Sequence, residues 1–248
     1  MADAILEVSN LSKRFGAVAA SDSLTFAVER GGIHALIGPN GAGKSTAIGQ
    51  FTGEINPDSG RVVFDGHDIT HIETYKRAQL GLQRSYQITS LFPEFTAEDN
   101  VAMAVQSRQG HSFCFWTPAR TDKTLRDPAR AVLQRVGMAD KADLKVTELA
   151  HGEQRQLELA VALASEPSML LLDEPMAGMG QSESLRMMEI LRTLKGDISI
   201  LLVEHDMDVV FALADVISVL VKGAVLMTGS PNEVRQNRDV RLAYLGDE

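Results

Sequence analysis

The sequence predicts an α/β fold built on a mixed sheet with a helical lobe inserted into it, and three observations carry that expectation. First, short β-like runs alternate with helical stretches: Ile5 to Val8, Ile33 to Ile37, Arg61 to Phe64, Met169 to Leu172, Ile198 to Val203, Val216 to Val221 and Val225 to Met227. Second, Met169-Leu170-Leu171-Leu172 is apolar on both parities, as a central strand covered on both faces requires. Arg61-Val62-Val63-Phe64-Asp65-Gly66 instead ends in a turn, like an antiparallel ribbon. Third, from Thr96 to Leu149 the β-like runs stop, and helix-forming stretches such as Glu98 to Arg108 and Pro128 to Gly137 replace them. Gly110 to Asp127 mixes aromatics, Pro118 and charges without a period, and the sequence assigns it no element.

Composition narrows the class of function. The chain has 248 residues, 44% of them hydrophobic, which is enough for one large or two small globular domains without disulfide or metal staples. The single cysteine, Cys114, allows no intramolecular disulfide and no four-ligand zinc site, which suits a reducing compartment. No apolar run approaches the ~18 to 20 residues that span a bilayer. Asp3, Glu7, Lys13 and Arg14 stand where a secretory signal would need an apolar core. A formal charge of −9 disfavours broad nucleic-acid binding.

The strongest local signal is Gly38-Pro39-Asn40-Gly41-Ala42-Gly43-Lys44-Ser45-Thr46, a GxxxxGK[ST] loop after the run Ile33 to Ile37 and before a helical stretch. Glycines let backbone N–H groups turn toward phosphate oxygens, and the helix start near Lys44 adds its dipole to the same anion. Lys44 is placed to reach the β and γ phosphates of a nucleotide, and Ser45 to give an oxygen to Mg²⁺. A nucleotide and Mg²⁺ are what this motif predicts.

Asp173 and Glu174 end the apolar run Met169 to Leu172, the edge of a sheet where ligands bind. Asp173 is expected in the Mg²⁺ shell, and Glu174, one residue on, polarises the water that attacks the γ-phosphate. Alone, such a pair is more often a solvated strand end, and the phosphate loop is what selects the functional reading. His205 follows the run Ile198 to Val203 and so reaches the same edge, where a γ-phosphate contact and a plain surface or packing role both stand.

Five separated motifs follow the order and spacing of ATP-binding cassette (ABC) proteins, and the resemblance covers essentially the whole chain. Arg84-Ser85-Tyr86-Gln87 resembles the family's Q-loop, which implies that Gln87 contacts Mg²⁺ and water and senses a transmembrane partner. Leu149-Ala150-His151-Gly152-Glu153-Gln154-Arg155 resembles the signature LSGGQ. It leads into Gln156 to Ser165, where Leu157, Ala160, Val161 and Ala164 share one apolar helical face. In the family this signature caps the ATP of the opposite subunit, so Leu149 to Glu153 count among the nucleotide-binding residues of a dimer. Phe15, in Lys13-Arg14-Phe15-Gly16, resembles the aromatic that stacks on adenine, although a core role fits it equally.

The resemblance implies a P-loop NTPase cassette with a mixed-sheet core, an antiparallel β subdomain and an inserted helical subdomain. Residues 1–248 would then form one ATPase domain, with 1–95 and 150–248 as the nucleotide-binding core and 96–149 as the helical part. Three positions depart from the family pattern. Ala150 stands in place of the signature serine and His151 in place of a glycine, and Gly180 in Pro175-Met176-Ala177-Gly178-Met179-Gly180 replaces the acidic residue of the D-loop. A lost hydrogen bond to a charged group is worth ~1.5 to 3 kcal/mol, which weakens the cap without abolishing it. Met176 and Met179 fit plain packing better than dimer contact.

Within the family, the signature, the Ala177-Gly178 step, Val203-Glu204-His205-Asp206-Met207 and the tail Ala243-Tyr244-Leu245-Gly246-Asp247-Glu248 resemble the first of the two paired ATPases of branched-chain amino-acid importers. That resemblance implies transmembrane permease subunits, a second cassette as homo- or heterodimer, and indirectly an extracytoplasmic solute-binding protein. It also implies a peripheral place on the cytoplasmic face of the inner (plasma) membrane. Two alternatives remain at this point, an ATPase of a lipopolysaccharide or lipid exporter and a urea or amide importer cassette. The lipid-export cassettes lack the aromatic segment around Phe113-Cys114-Phe115-Trp116. Permease docking is expected between Gln87 and Asn100, where Leu91-Phe92-Pro93 offers apolar side chains, with a packed loop as the competing reading.

Overall fold

The structure is a computed structural model that describes residues 3–85, 91–110 and 121–245. The chain divides into two compact units: Met1–Leu82 with Ser168–Glu174 and Leu194–Glu248, and Gln83–Pro167 with Pro175–Thr193.

The first unit holds two sheets. One is antiparallel and is made of β1 (Ala4–Phe15), β2 (Val18–Glu29), β4 (Ser59–Phe64) and β5 (His67–Asp68), in the order β2-β1-β4-β5. The other contains β3 (Ile33–Ile37), β7 (Met169–Asp173), β8 (Ser199–Val203), β9 (Val216–Val221) and β10 (Ala224–Gly229), in the order β10-β9-β3-β8-β7. β6 (Leu82–Ser85) follows as its edge, at the point where the chain leaves the unit. β3, β7, β8 and β9 run parallel and β10 is antiparallel, so the sheet is mixed as expected.

Every residue of β3, β7 and β8 is buried, as in parallel strands covered on both faces. Period-two alternation then sends Leu36 into one core with Ile48 and Phe51 of α1 (Lys44–Thr52), and sends Ala35 and Ile37 into another. The second core is closed by Val210 of α7 (Met207–Leu213), Val234 of α8 (Pro231–Gln236) and Val240 of α9 (Arg238–Leu245). Burying a side chain such as Ile48 or Phe51 stabilises by about 1.5 to 3 kcal/mol each, which docks α1 firmly on the sheet. The register matters most for function. Leu36 pairs with Val203, and Val203 with Asp173, so β3, β8 and β7 end level with one another.

Several strand expectations fall short of the structure. β1 runs on to Phe15 instead of ending at Val8, and β2, like the short β5 and β6, carries no counterpart among the expected runs. Asn10 and Ser23 adopt left-handed φ values of 50° and 51°, and the β1–β2 register shifts repeatedly, so bulges break the alternation that would have marked a long hairpin.

The second unit is mainly helical: α3 (Ala97–Gln109), α4 (Lys123–Arg135), α5 (His151–Leu163) and α6 (Gln181–Leu194). α3 starts at a reciprocal Thr96–Asp99 cap, and its acids Asp99 and Glu98 pair with Arg126 at 2.6 Å and Arg130 at 2.9 Å on α4. α4 begins five residues before the expected Pro128, because Asp122 accepts the Thr124 N–H at 2.9 Å and sets the first turn. Pro128 cannot donate to the carbonyl of Thr124, and that oxygen instead takes the Gln109 side chain at 3.2 Å. On α5, Leu157, Ala160 and Ala164 are buried as expected. Val161 is only half-buried, and Leu159 and Leu163 complete the inner face. Among the described residues no helix is long and apolar enough to cross a membrane.

Candidate functional site

The site is assembled at the level ends of β3, β7 and β8. After Ile37 the chain turns through Gly38, Pro39, Asn40, Gly41, Ala42 and Gly43 and enters α1 at Lys44. Gly43 has φ +102°, and a Cβ there would lie 2.1 Å from the carbonyl oxygen of Ala20 on β2, so no larger residue fits. α1 has no side-chain N-cap, which leaves the first N–H groups of the helix at the loop mouth, with Ser45 exposed and Thr46 half-buried. The Lys44 ammonium folds back onto the carbonyls of Gly38 at 2.5 Å and Pro39 at 3.2 Å. Burial holds its pKa below the usual lysine value, against the opposing pull of Glu174 and then Asp173. A cation so satisfied by two neutral carbonyls gains on exchanging them for phosphate oxygens.

Asp173 is buried at the end of β7. Glu174 follows in the left-handed region at φ +49°, an uncommon backbone for a glutamate, and its N–H is held by the carbonyl of Val203 at 2.8 Å. His205 stands two residues beyond the end of β8, between Glu204 and Asp206, with its Nδ1 3.8 Å from Glu174 Oε1. Asp206 caps α7 by accepting the N–H groups of Asp208 and Val209, which fixes the chain on the far side of the histidine. The structure thus brings Lys44, Asp173, Glu174 and His205 to one edge. Phe15 is 52% exposed at the end of the β1–β2 hairpin, paired with Val18 and so close along β2 to Ala20, the residue that packs on Gly43. An exposed aromatic there is available to a flat ligand and is no core residue. Gln87 lies outside the described residues.

The described residues hold no cluster of three or more His, Cys, Asp or Glu that could bind a metal by themselves. Ser45 and Asp173 carry side-chain oxygens at this edge, and they fit Mg²⁺, which is commonly held by one or two protein oxygens together with phosphates and water.

In the second unit, Leu149 is buried and Ala150 is the N-cap of α5. Having no side-chain oxygen, Ala150 offers only its N–H, which Glu153 accepts at 3.0 Å. Glu153 also pairs with Lys141, whose hydrogen bond is the largest cause of a carboxyl pKa below its usual value. His151 is exposed, and its ring packs against Gly178, where an added Cβ would lie 3.3 Å from Cε1. An added Cβ at Gly152 would lie 2.4 Å from the carboxyl carbon of Glu183, which also accepts the Gly180 N–H at 2.9 Å. The stretches 149–153 and 178–183 therefore meet.

Sequence reasoning missed two residues around α1. Arg77, in the short helix α2 (Thr74–Gln79), is fully buried and donates to the carbonyls of Gln50, Phe51, Thr70 and Ile72. It clasps the C-terminal turn of α1, where a cation suits the helix dipole, and burial lowers its pKa to about 10. Tyr244 on α9 lies one turn beyond Val240, and its phenol oxygen meets the backbone N–H of Gly38. Burial pushes its pKa up to about 12, against that contact. Arg77 sits beside no recognisable motif. Tyr244 falls within a quoted motif whose sequence says nothing of what the ring touches.

A family model described as ABC transporter matches residues 21–177, well over half of the chain. The chain belongs to the ABC transporter family. This ABC protein is an ATP-binding, ATP-hydrolysing subunit of a transporter that works with membrane permeases. It is 36% identical to the high-affinity branched-chain amino acid transport ATP-binding protein BraF of Pseudomonas aeruginosa, with 100% of both chains covered. It is 35% identical, again over 100% of both chains, to LivG of Escherichia coli K12, a protein of the same description. Among solved structures, the ADP conformation of MJ1267, an ATP-binding cassette of an ABC transporter, superposes with a TM-score of 0.86 at 28% identity, covering 98% of this chain and 99% of that one. A second, cbiO1 from Clostridium perfringens, has a TM-score of 0.82 at 27% identity, with 97% and 95% covered.

Proposed function

We propose that this ABC ATPase powers the import of branched-chain or closely related amino acids, with residues 1–248 acting as one ATPase domain. The observation that carries the solute class is the end-to-end likeness to BraF and LivG, 36% and 35% identical with 100% of both chains covered. The expected partners are permease subunits, a second cassette and, indirectly, a solute-binding protein, which places the chain at the cytoplasmic face of the membrane.

In this reading ATP lies along the loop of Gly38 to Thr46 with its adenine on Phe15. Lys44 leaves the Gly38 and Pro39 carbonyls for the β and γ phosphates, while the N–H groups that open α1 receive the remaining oxygens. Mg²⁺ would be held by Ser45, Asp173 and Gln87 and would offset phosphate charge. Glu174 takes a proton from the attacking water, and His205 contacts the γ-phosphate beside it. Leu149, Ala150, His151, Gly152 and Glu153 cap the nucleotide of a second cassette. Phe92 and Phe95, 54% and 42% exposed with rings 5.6 Å apart, offer the permease an apolar landing. Asn100 holds that turn by accepting the Phe92 N–H at 2.8 Å and donating to the Thr96 carbonyl at 2.9 Å.

The test is to solubilise native membranes in mild detergent, recover the tagged chain and identify what accompanies it. Two hydrophobic permeases and a second cassette, with amino-acid uptake lost on deletion, are the expected result. Lipid-export components in their place would overturn the solute assignment and leave the ATPase chemistry intact.

A further inference from the structure

The proposed mechanism leaves Glu204 without a task. It follows β8, whose five residues are all buried, and is itself only 2% exposed. Burying a carboxylate is costly unless it is compensated, and an apolar residue would extend the strand without that cost. Among the contacts of Glu204, two are with the histidine that follows it. Its Oε2 accepts the backbone N–H of His205 at 3.3 Å and lies 3.9 Å from the same His205 Nδ1 that is 3.8 Å from Glu174 Oε1. The Asp173–Val203 register and the Glu174 N–H bond to Val203 put the two acids one residue past the same rung of adjoining parallel strands. One imidazole nitrogen thus stands between two carboxylates. Glu174 is the more open of the two, with a side chain 35% exposed against 2% for Glu204.

We propose that Glu204 is a positioning residue for His205. The buried carboxylate, 3.9 Å from Nδ1, is the acceptor to which Nδ1–H turns when Glu174 swings to the attacking water, so the ring keeps its tautomer and its heading, and Nε2, on the other side of the ring, stays on the substrate side. Glu174 is thereby free to act as base without releasing the histidine. This inference rests on the reading of His205 as a γ-phosphate contact.

The experiment is a double-mutant cycle on steady-state ATP hydrolysis by the full chain co-purified with its membrane partners, separating kcat from KM. Glu204→Leu is expected to lower kcat about tenfold with KM for ATP unchanged, as removal of an orienting partner does. Glu204→Gln, whose amide oxygen still accepts, is expected to recover most of the rate. Glu204→Leu added to His205→Ala is expected to cost nothing further. A wild-type kcat in Glu204→Leu beside a slow His205→Ala overturns the role of Glu204 alone, and so does a full additional loss in the double variant. A wild-type rate in His205→Ala removes the reading of His205 and this inference with it. Should Glu204→Leu not fold, Glu204→Ala removes the carboxylate without an added branch and is read in the same cycle.

Discussion

α1 in one unit and α5 in the other both open without a side-chain cap. α1 follows Gly43 and α5 follows Ala150, and in neither does a side-chain oxygen accept the first free N–H groups. The resemblance ends there. At α1 the residues before the helix are mostly small, no acid stands in the first turn, and the nearby cation Lys44 donates to two backbone carbonyls. At α5 two carboxylates are already present: Glu153 takes the Ala150 N–H, and Glu183 lies against Gly152. An uncapped helix start attracts anions in general, but the α1 opening keeps its charge for a ligand, whereas the α5 opening spends part of it on its own acids.

The largest effects should come from breaking the α1 side of this comparison. Glu174→Gln is expected to lower ATP turnover at least about 100-fold while nucleotide still binds, since it removes only the base. Unchanged turnover would withdraw Glu174 from that role. Lys44→Ala should act on the other term, weakening ATP affinity by about 1.5 to 3 kcal/mol, and a titration with wild-type affinity would show that the loop binds without its cation.

The platform under α1 adds a pH dependence. His34 on β3 is buried beside Phe26, its Nε2 2.8 Å from Ser218 Oγ, and burial lowers its pKa to about 4. The unfolded chain protonates this ring near its ordinary value while the folded chain does not. Stability is therefore fully present above about pH 6.5 and declines as pH falls toward 4, by about 2 kcal/mol at pH 5. Urea midpoints at pH 7.5 and 5 measure it, and His34→Leu should show a smaller pH difference. An equal difference in that variant would assign the loss to other groups.

The smallest effect tests α5 directly. Ala150→Ser supplies the missing cap and is expected to stabilise the protein by about 1 kcal/mol, read as a shift in the unfolding midpoint. A null shift would mean that Glu153, tied to Lys141, already does the work of the cap.

How much of this was legible in the chain depends on sequence distance. The phosphate loop was legible because its requirement is local: a strand, glycines that allow one backbone path, and Lys44 at the start of a helix. The place of Asp173 and Glu174 at the end of β7 could be read for the same reason, as could β3, whose apolar run matches its element end to end. β2 escaped because bulges at Asn10 and Ser23 interrupt the alternation that marks a strand.

What only the tertiary structure decided are the contacts between distant residues. Arg77 reaches the end of α1 from a helix some 25 residues on, as its bonds to Gln50 and Phe51 show. Tyr244 meets Gly38 from the last described helix. Glu204 and Glu174 share one histidine because Val203 pairs with Asp173, and a slip of one residue in that register would turn the pair apart. A sequence by itself specifies what each residue can do over a few neighbours, which is enough to name a phosphate loop. Which acid faces which base is set by strand register and by burial, and those are properties of the whole packed sheet.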